Sequence, residues 1–93
     1  MKVLIDLEIG SKDDTFKKKA SFGVDEQEFE INPDKVALKV AYQWFNRVRK
    51  EFSNDLTIKS ARYNEVHDLT EGLKNVLNKE TRIAAQNWKA PWE

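Results

Sequence analysis

The sequence predicts an α+β fold in which a small, two- to three-stranded antiparallel sheet at the N-terminus packs on two or three helices. Two patterns predict this class. Apolar residues alternate with polar ones over the first third of the chain, and they recur every three or four residues over the rest. A chain of 93 residues, 40% of them hydrophobic, has room for one domain, which we place at residues 1–93.

The first third contains three segments with the period-two pattern of β-strands. The first has its apolar face at Val3, Ile5, Leu7 and Ile9. The second has its apolar face at Phe16, Ala20, Phe22 and Val24. The third is short, with Phe29 and Ile31 inward and Glu28 and Glu30 outward. We expect these segments to form an antiparallel meander with one solvated face.

The sequence Asn32-Pro33-Asp34 predicts the start of a helix, because Asn caps a helix with its side-chain oxygen and Pro suits the first helical position. This central helix should run from residue 33 to about residue 52. The apolar positions on its buried side are Val36, Ala37, Val40, Ala41, Trp44, Phe45, Val48 and Phe52. They span about half of the helix circumference, which predicts packing against both the sheet and another helix.

A second helical region is predicted over residues 62–89. The residues that recur at helical spacing are Tyr63, Val66, Leu69 or Thr70, Leu73, Leu77, Ala84 and Trp88. One continuous helix of this length would be about 40 Å long, which is long for so small a chain. We therefore favour a break near Asn78, because Gly72 and the neighbouring Asn75 already weaken the helix locally.

The composition argues against some classes of function and excludes others. The sixteen basic and sixteen acidic residues cancel, whereas a dedicated nucleic-acid binder usually carries a clear basic excess. The chain has no Cys, which rules out a disulfide scaffold, a zinc finger and an iron–sulfur site. It also lacks a P-loop, a dinucleotide-binding fingerprint and a nucleophile elbow.

Few residues are suited to catalysis. His67 is the only histidine, and it precedes Glu71 by four residues, so the two side chains would share one face of a helix. A stable metal site usually needs three or four ligands, and the sequence offers no second His and no Cys to complete one. We therefore predict no catalytic residue, no metal site and no cofactor, and a protein that is not an enzyme.

Two tryptophans near the C-terminus are the clearest indication of binding. Trp88 and Trp92 lie within the last six residues, and Trp is enriched among the residues that dominate protein interfaces. Docking on the protein's own core is the alternative. With these anchors we group a basic rim on the central helix, formed by Lys39, Arg47, Arg49 and Lys50.

These features favour a protein-binding accessory protein, such as an inhibitor, an adaptor or an assembly factor. Its expected partner is another protein or a second copy of itself, so a homodimer is one form of this prediction. The size, balanced charge and lack of motifs are similar in style to those of small accessory proteins encoded by bacteriophages of AT-rich hosts. No motif carries that likeness.

Nucleic-acid binding is the alternative function. Lys17, Lys18 and Lys19 lie between Phe16 and Phe22, and basic residues interleaved with aromatics are typical of sheets that bind RNA. The basic face of helix 33–52 would extend this surface. However, the spacing places both aromatics on the apolar face, and lysines also protect the edge strands of sheets from unwanted pairing.

The sequence contains no apolar run of the roughly 18–20 residues that cross a bilayer. It also shows no apolar segment of the kind found in secretory signals. We therefore expect a cytoplasmic protein that does not bind membranes.

Overall fold

The predicted α+β class is confirmed by a computed structural model that describes residues 1–12, 14–52 and 55–82, the last three by backbone only. Four antiparallel strands form a sheet that packs with three helices. In chain order the elements are β1 (Lys2–Gly10), β2 (Thr15–Gly23), α1 (Glu26–Ile31), α2 (Pro33–Glu51), β3 (Thr57–Tyr63), β4 (His67–Asp68) and α3 (Thr70–Arg82). No helix of the described ranges is both long enough and apolar enough to cross a membrane.

The strands lie in the order β2-β1-β3-β4, so β1 is central and β2 forms one edge of the sheet. The predicted alternation in β1 is confirmed, because its four apolar residues Val3, Ile5, Leu7 and Ile9 are buried. The core lies between this face of the sheet and the helices. The other face, which we call the open face, carries the alternate residues of each strand, including Asp6 and Glu8 of β1.

The predicted third strand is wrong, because residues 26–31 form the short helix α1. Asp25 caps this helix by accepting a hydrogen bond from the backbone N–H of Glu28 at 3.0 Å. Phe29 is buried, with its ring edge-on to Tyr63 at 6.1 Å between centroids. Ile31 is 85% exposed, so the two apolar residues do not share a buried face.

Helix α2 confirms the predicted central helix to within one residue. The Asn32 side chain accepts a hydrogen bond from the Lys35 N–H at 3.3 Å, as the Asn-Pro-Asp sequence indicates. The buried residues of the helix are Ala37, Ala41, Tyr42, Phe45 and Val48. Phe52 is different, because it lies at the C-cap beyond the last turn and is 62% exposed.

The second helical region begins later than predicted. Tyr63 ends strand β3, and residues 64–66 form a turn that returns the chain through β4. This turn requires positive φ angles at Asn64 (50°) and Glu65 (70°), and it leaves Val66 77% exposed. Helix α3 begins only at Thr70, so the prediction of a helix from residue 62 is wrong.

The predicted break near Asn78 is also wrong, because α3 continues through Asn78 to Arg82. Its buried stripe consists of Leu73 and Val76, which continue from Leu69 just before the helix. Asp68 accepts a hydrogen bond from the Thr70 N–H at 3.0 Å, which fixes the start of the helix. The predicted positions Ala84 and Trp88 lie outside the described residues.

Candidate functional site

The edge strand β2 carries the most unusual surface of the described residues. Its register with β1 places the side chains of Phe16, Lys18, Ala20 and Phe22 on the face of the sheet that the helices cover. All four are half-buried rather than buried. The reason is the position of β2 at the edge of the sheet, where it has a neighbouring strand on one side only.

Helix α2 contributes aromatic partners to both ends of this strand. Trp44 contacts Phe22, with 5.1 Å between ring centroids, and Phe52 lies near Phe16 at 6.2 Å. Both pairs have the tilted geometry that aromatic rings prefer. We call these four residues, Phe16, Phe22, Trp44 and Phe52, the aromatic edge.

Two cations lie over the rings of the aromatic edge. The Lys18 ammonium lies 5.0 Å from the centroid of Phe52, and the Arg47 guanidinium lies 6.0 Å from that of Phe22. Both distances fall within the range of cation–π attraction. The surface therefore combines partly exposed aromatic rings with an Arg, residue types that are enriched at protein interfaces, and with a Lys.

The open face of β2 has a different chemistry, because its lysines lie beside carboxylates of β1. Lys17 lies 3.9 Å from Glu8, and Lys19 lies 3.9 Å from Asp6 and 3.5 Å from Glu65. The pairs of Lys17 with Glu8 and of Lys19 with Asp6 are directly opposed across the two strands, whereas Glu65 approaches Lys19 from the turn between β3 and β4. The lysine run proposed as a nucleic-acid surface is thus divided, with Lys18 on one face and its two neighbours paired on the other.

The predicted basic rim on α2 is also divided. Lys39 and Lys50 are exposed on the side of the helix away from the core, whereas Arg47 lies over Phe22. Arg49 lies on the opposite flank, over the Phe45 ring at 5.0 Å, and donates a hydrogen bond to Asn46. Only Arg47 of these four residues joins the aromatic edge.

The predicted anchors Trp88 and Trp92 lie outside the described residues. The structure therefore does not place them relative to the aromatic edge or to the basic residues of α2. Their assignment as partner-binding residues stays a prediction.

His67 lies in β4, not on a helix, and its ring stacks on Tyr63 with 4.6 Å between centroids. Its predicted neighbour Glu71 belongs to α3, so the two are not one helical turn apart. Hydrogen bonds from the Thr70 hydroxyl and N–H lower the pKa of the adjacent Asp68 carboxyl, with a smaller contribution from Arg62. Within the described ranges no three His, Asp or Glu side chains are grouped as metal ligands.

Tyr63 has the other perturbed side chain near this point. Burial, together with a hydrogen bond that its hydroxyl donates to the Asp34 carboxylate, raises the pKa of Tyr63 to about 12. This contact ties β3 to the first turn of α2, so we assign it a structural role.

The described surface contains open grooves rather than an enclosed cavity. One of about 320 Å³ lies where α1 meets α2 and is lined in part by Ile31, Val36 and Lys39. Another of about 380 Å³ lies beside Arg49 and Leu77. The charged residues that line these two grooves are exposed or half-buried. The two grooves therefore offer surfaces for contact but no desolvated acid or base.

Comparison with known proteins gives no match to a family model, a curated protein or a solved structure.

Proposed function

We propose that this chain is a non-enzymatic, protein-binding accessory protein and that the aromatic edge is its binding surface. The observation that carries this proposal is the combination of four aromatic rings and two cations along one edge of the molecule, with Phe52 62% exposed. Covering such rings with a partner removes apolar surface from water, at about 25 cal/mol per Å².

The charged residues of α2 have a second role in this proposal. Lys39 and Lys50 project from the same helix that supplies Trp44, and exposed charges near an interface mainly raise the rate of association. We expect them to attract an acidic partner, while Arg47 contacts it directly. Trp88 and Trp92 are proposed as a further anchor for the partner.

The geometry favours a protein partner over a nucleic acid. A nucleic-acid surface needs several cations on one face, but the lysine run of β2 is divided, with Lys18 on the covered face and Lys17 and Lys19 on the open face. The role as inhibitor, adaptor or assembly factor, the likeness to bacteriophage accessory proteins and the cytoplasmic location stay predictions.

The proposal is tested by quantitative capture of partners from the source cell with the full chain and with a Phe52→Ser, Arg47→Ser variant. Both side chains are exposed, so the variant should fold. We expect the variant to capture at least about tenfold less partner than the original chain does. Aromatic and Arg side chains at interface hot spots each contribute more than about 1 kcal/mol to binding.

The matched control is Ile31→Ser, which removes an even more exposed apolar side chain in the groove between α1 and α2. It should capture the partner as the original chain does. A Trp88→Ser, Trp92→Ser variant tests the second anchor separately. Equal capture by the Phe52→Ser, Arg47→Ser variant and the original chain contradicts the proposal, as does an equal loss in the Ile31 control.

A further inference from the structure

The outer edge of β2 is a long row of backbone groups. The strand has nine residues, and among the described residues it pairs with β1 alone. In an antiparallel sheet, alternate residues of an edge strand direct their N–H and C=O groups away from the neighbouring strand. Such an edge is a template for one more strand. The opposite edge of the sheet, β4, has only two residues.

The register of β1 shows which side chains fit beside β2. On the open face, Asp6 lies opposite Lys19 and Glu8 lies opposite Lys17. The charges alternate across the sheet, because Asp6 also lies opposite Arg62 on its other side. The row from Arg62 through Asp6 to Lys19 therefore reads positive, negative, positive. A negatively charged residue beside Lys19, on a strand added to β2, would continue this alternation of charge.

On the covered face, β1 places only aliphatic residues beside β2. The four opposed pairs are Val3 with Phe22, Ile5 with Ala20, Leu7 with Lys18 and Ile9 with Phe16. On this face, a strand added to the outer side of β2 would contact the half-buried β2 side chains and the exposed ring of Phe52. Apolar side chains suit this face because they would cover the aromatic edge.

We infer that β2 accepts an extended segment of the partner, in which acidic and aliphatic residues alternate, as an additional antiparallel strand. The acidic residues lie beside Lys17 and Lys19 on the open face, and the aliphatic residues cover the aromatic edge. This inference rests on the proposed function and specifies the partner's chemistry and its mode of binding.

A second copy of the chain that pairs symmetrically at the lysine run is disfavoured at this edge. A two-fold axis through the lysine run would place residues 17–19 of one copy against residues 17–19 of the other. Like charges that face each other directly across two strands are destabilising. The acidic residues of the proposed partner strand meet Lys17 and Lys19 with opposite charge. The side chains of Lys17 and Lys19 are 81% and 55% exposed, and each lies 3.9 Å from its β1 carboxylate, at the long end for an ion pair. Their ammonium groups can therefore also contact a new carboxylate from the outer side of β2.

The probe is a nine-residue peptide of alternating Glu and Val, labelled for fluorescence anisotropy and titrated with the full chain. The comparison peptide alternates Lys and Val. We expect the Glu–Val peptide to bind at least about tenfold more tightly than the Lys–Val peptide. If the dissociation constant of the Glu–Val peptide is not below about 1 mM, the inference is overturned. The lysines would then serve only to protect the edge strand from unwanted pairing.

Two N-methylated forms of the Glu–Val peptide test for strand addition. One is methylated at its Glu residues and the other at its Val residues. An added strand directs only alternate N–H groups toward β2, so one form should lose binding and the other should retain it. Equal binding by both forms, or loss by both, overturns strand addition.

The lysines are tested with Lys17→Gln, Lys19→Gln, which removes charge without adding repulsion next to Asp6 and Glu8. We expect this variant to bind the Glu–Val peptide at least about tenfold more weakly, and the matched double control Lys74→Gln, Lys79→Gln, at two exposed lysines of α3, to bind it unchanged. Unchanged binding by the double variant overturns the inference. So does a solution mass of twice 10.9 kDa that reverts to one copy in this variant, because a second copy would then occupy β2.

The two proposals fail in different ways. If capture of the cellular partner depends on Phe52 and Arg47 but the N-methylated peptides do not differ, the aromatic edge binds protein by another mode. If capture does not depend on those residues, the proposed function itself is wrong.

Discussion

The contact between Tyr63 and Asp34 allows a quantitative test of the packing between the sheet and α2. Tyr63 is 2% exposed, and its hydroxyl donates a hydrogen bond to the Asp34 carboxylate. Tyr63→Phe removes only the hydroxyl and keeps the ring that packs on Phe29. A hydrogen bond to a charged group contributes about 1.5–3 kcal/mol. Because Asp34 is exposed and regains water in the variant, we expect a loss at the lower end, about 1.5 kcal/mol at pH 8.

The difference between the two proteins should depend on pH. The pKa of Tyr63 is raised to about 12 in the folded chain, from an ordinary value of 10.0. A raised pKa means that the stabilisation is complete below pH 10 and is lost as pH rises toward 12. By pH 11 the original chain should lose about 1.4 kcal/mol relative to the Phe variant. The two stabilities should therefore meet near that pH.

The assay is urea unfolding followed by far-UV circular dichroism at several pH values from 8 to 11.5. Deprotonation of lysines at high pH affects both proteins equally, so the difference between them isolates Tyr63. A difference that stays constant over this range, or a Phe variant that is already the more stable one at pH 8, would refute the reasoning.

Three further changes test the other elements by urea unfolding. Asn32→Ala removes the cap on the Lys35 N–H and should lower the free energy of unfolding by about 1 kcal/mol. Asn32→Asp can still cap the helix, so it should retain most of that stability. Equal losses in the two variants contradict the capping role. Leu73→Ala empties a fully buried position and should cost about 2–5 kcal/mol, against less than about 0.5 kcal/mol for the exposed control Val66→Ala. Asn64→Ala should cost about 1–2 kcal/mol, because it removes a hydrogen bond to the β1 backbone and places Ala at positive φ. Asn64→Gly should recover the conformational part of that loss, and no recovery would locate the whole effect in the hydrogen bond.

The parts of the fold that could be predicted are those fixed by local chemistry. The alternation of β1 places its four apolar residues in the core, and the Asn32 cap with Pro33 fixes the start of α2. Each of these two signals comes from residues that lie close together in the sequence. The failures occurred where a short pattern fits two structures. Phe29 and Ile31 are two residues apart, which suits a strand, but the Asp25 cap makes the segment a helix.

The helix predicted from residue 62 was wrong for a different reason. Tyr63, Val66 and Leu69 recur at helical spacing, yet they lie on a strand, in a turn and just before α3. The turn depends on left-handed backbone angles at Asn64 and Glu65. Asn adopts such angles readily but Glu does not, so the sequence carries only a weak turn signal. Pairing of β3 with β1 overrides the local pattern.

The candidate site could be predicted only in part. The parity of Phe16 and Phe22 correctly places them on the covered face of the sheet. Their partial exposure depends on β2 lying at the edge, and the strand order β2-β1-β3-β4 is set by pairing between distant segments. The exposure of Phe52 likewise follows from the end of α2 one residue before it. Neither fact can be read from local spacing.

Hydrogen–deuterium exchange of the full chain, free and bound to its captured partner, tests the central claim most directly. The outward N–H groups of residues 15–23 have no strand beside them among the described residues, so they should exchange quickly in the free chain. We predict that the partner protects these N–H groups more than any others. Unchanged exchange in β2, with new protection around Ile31 or only in residues 83–93, would contradict the claim.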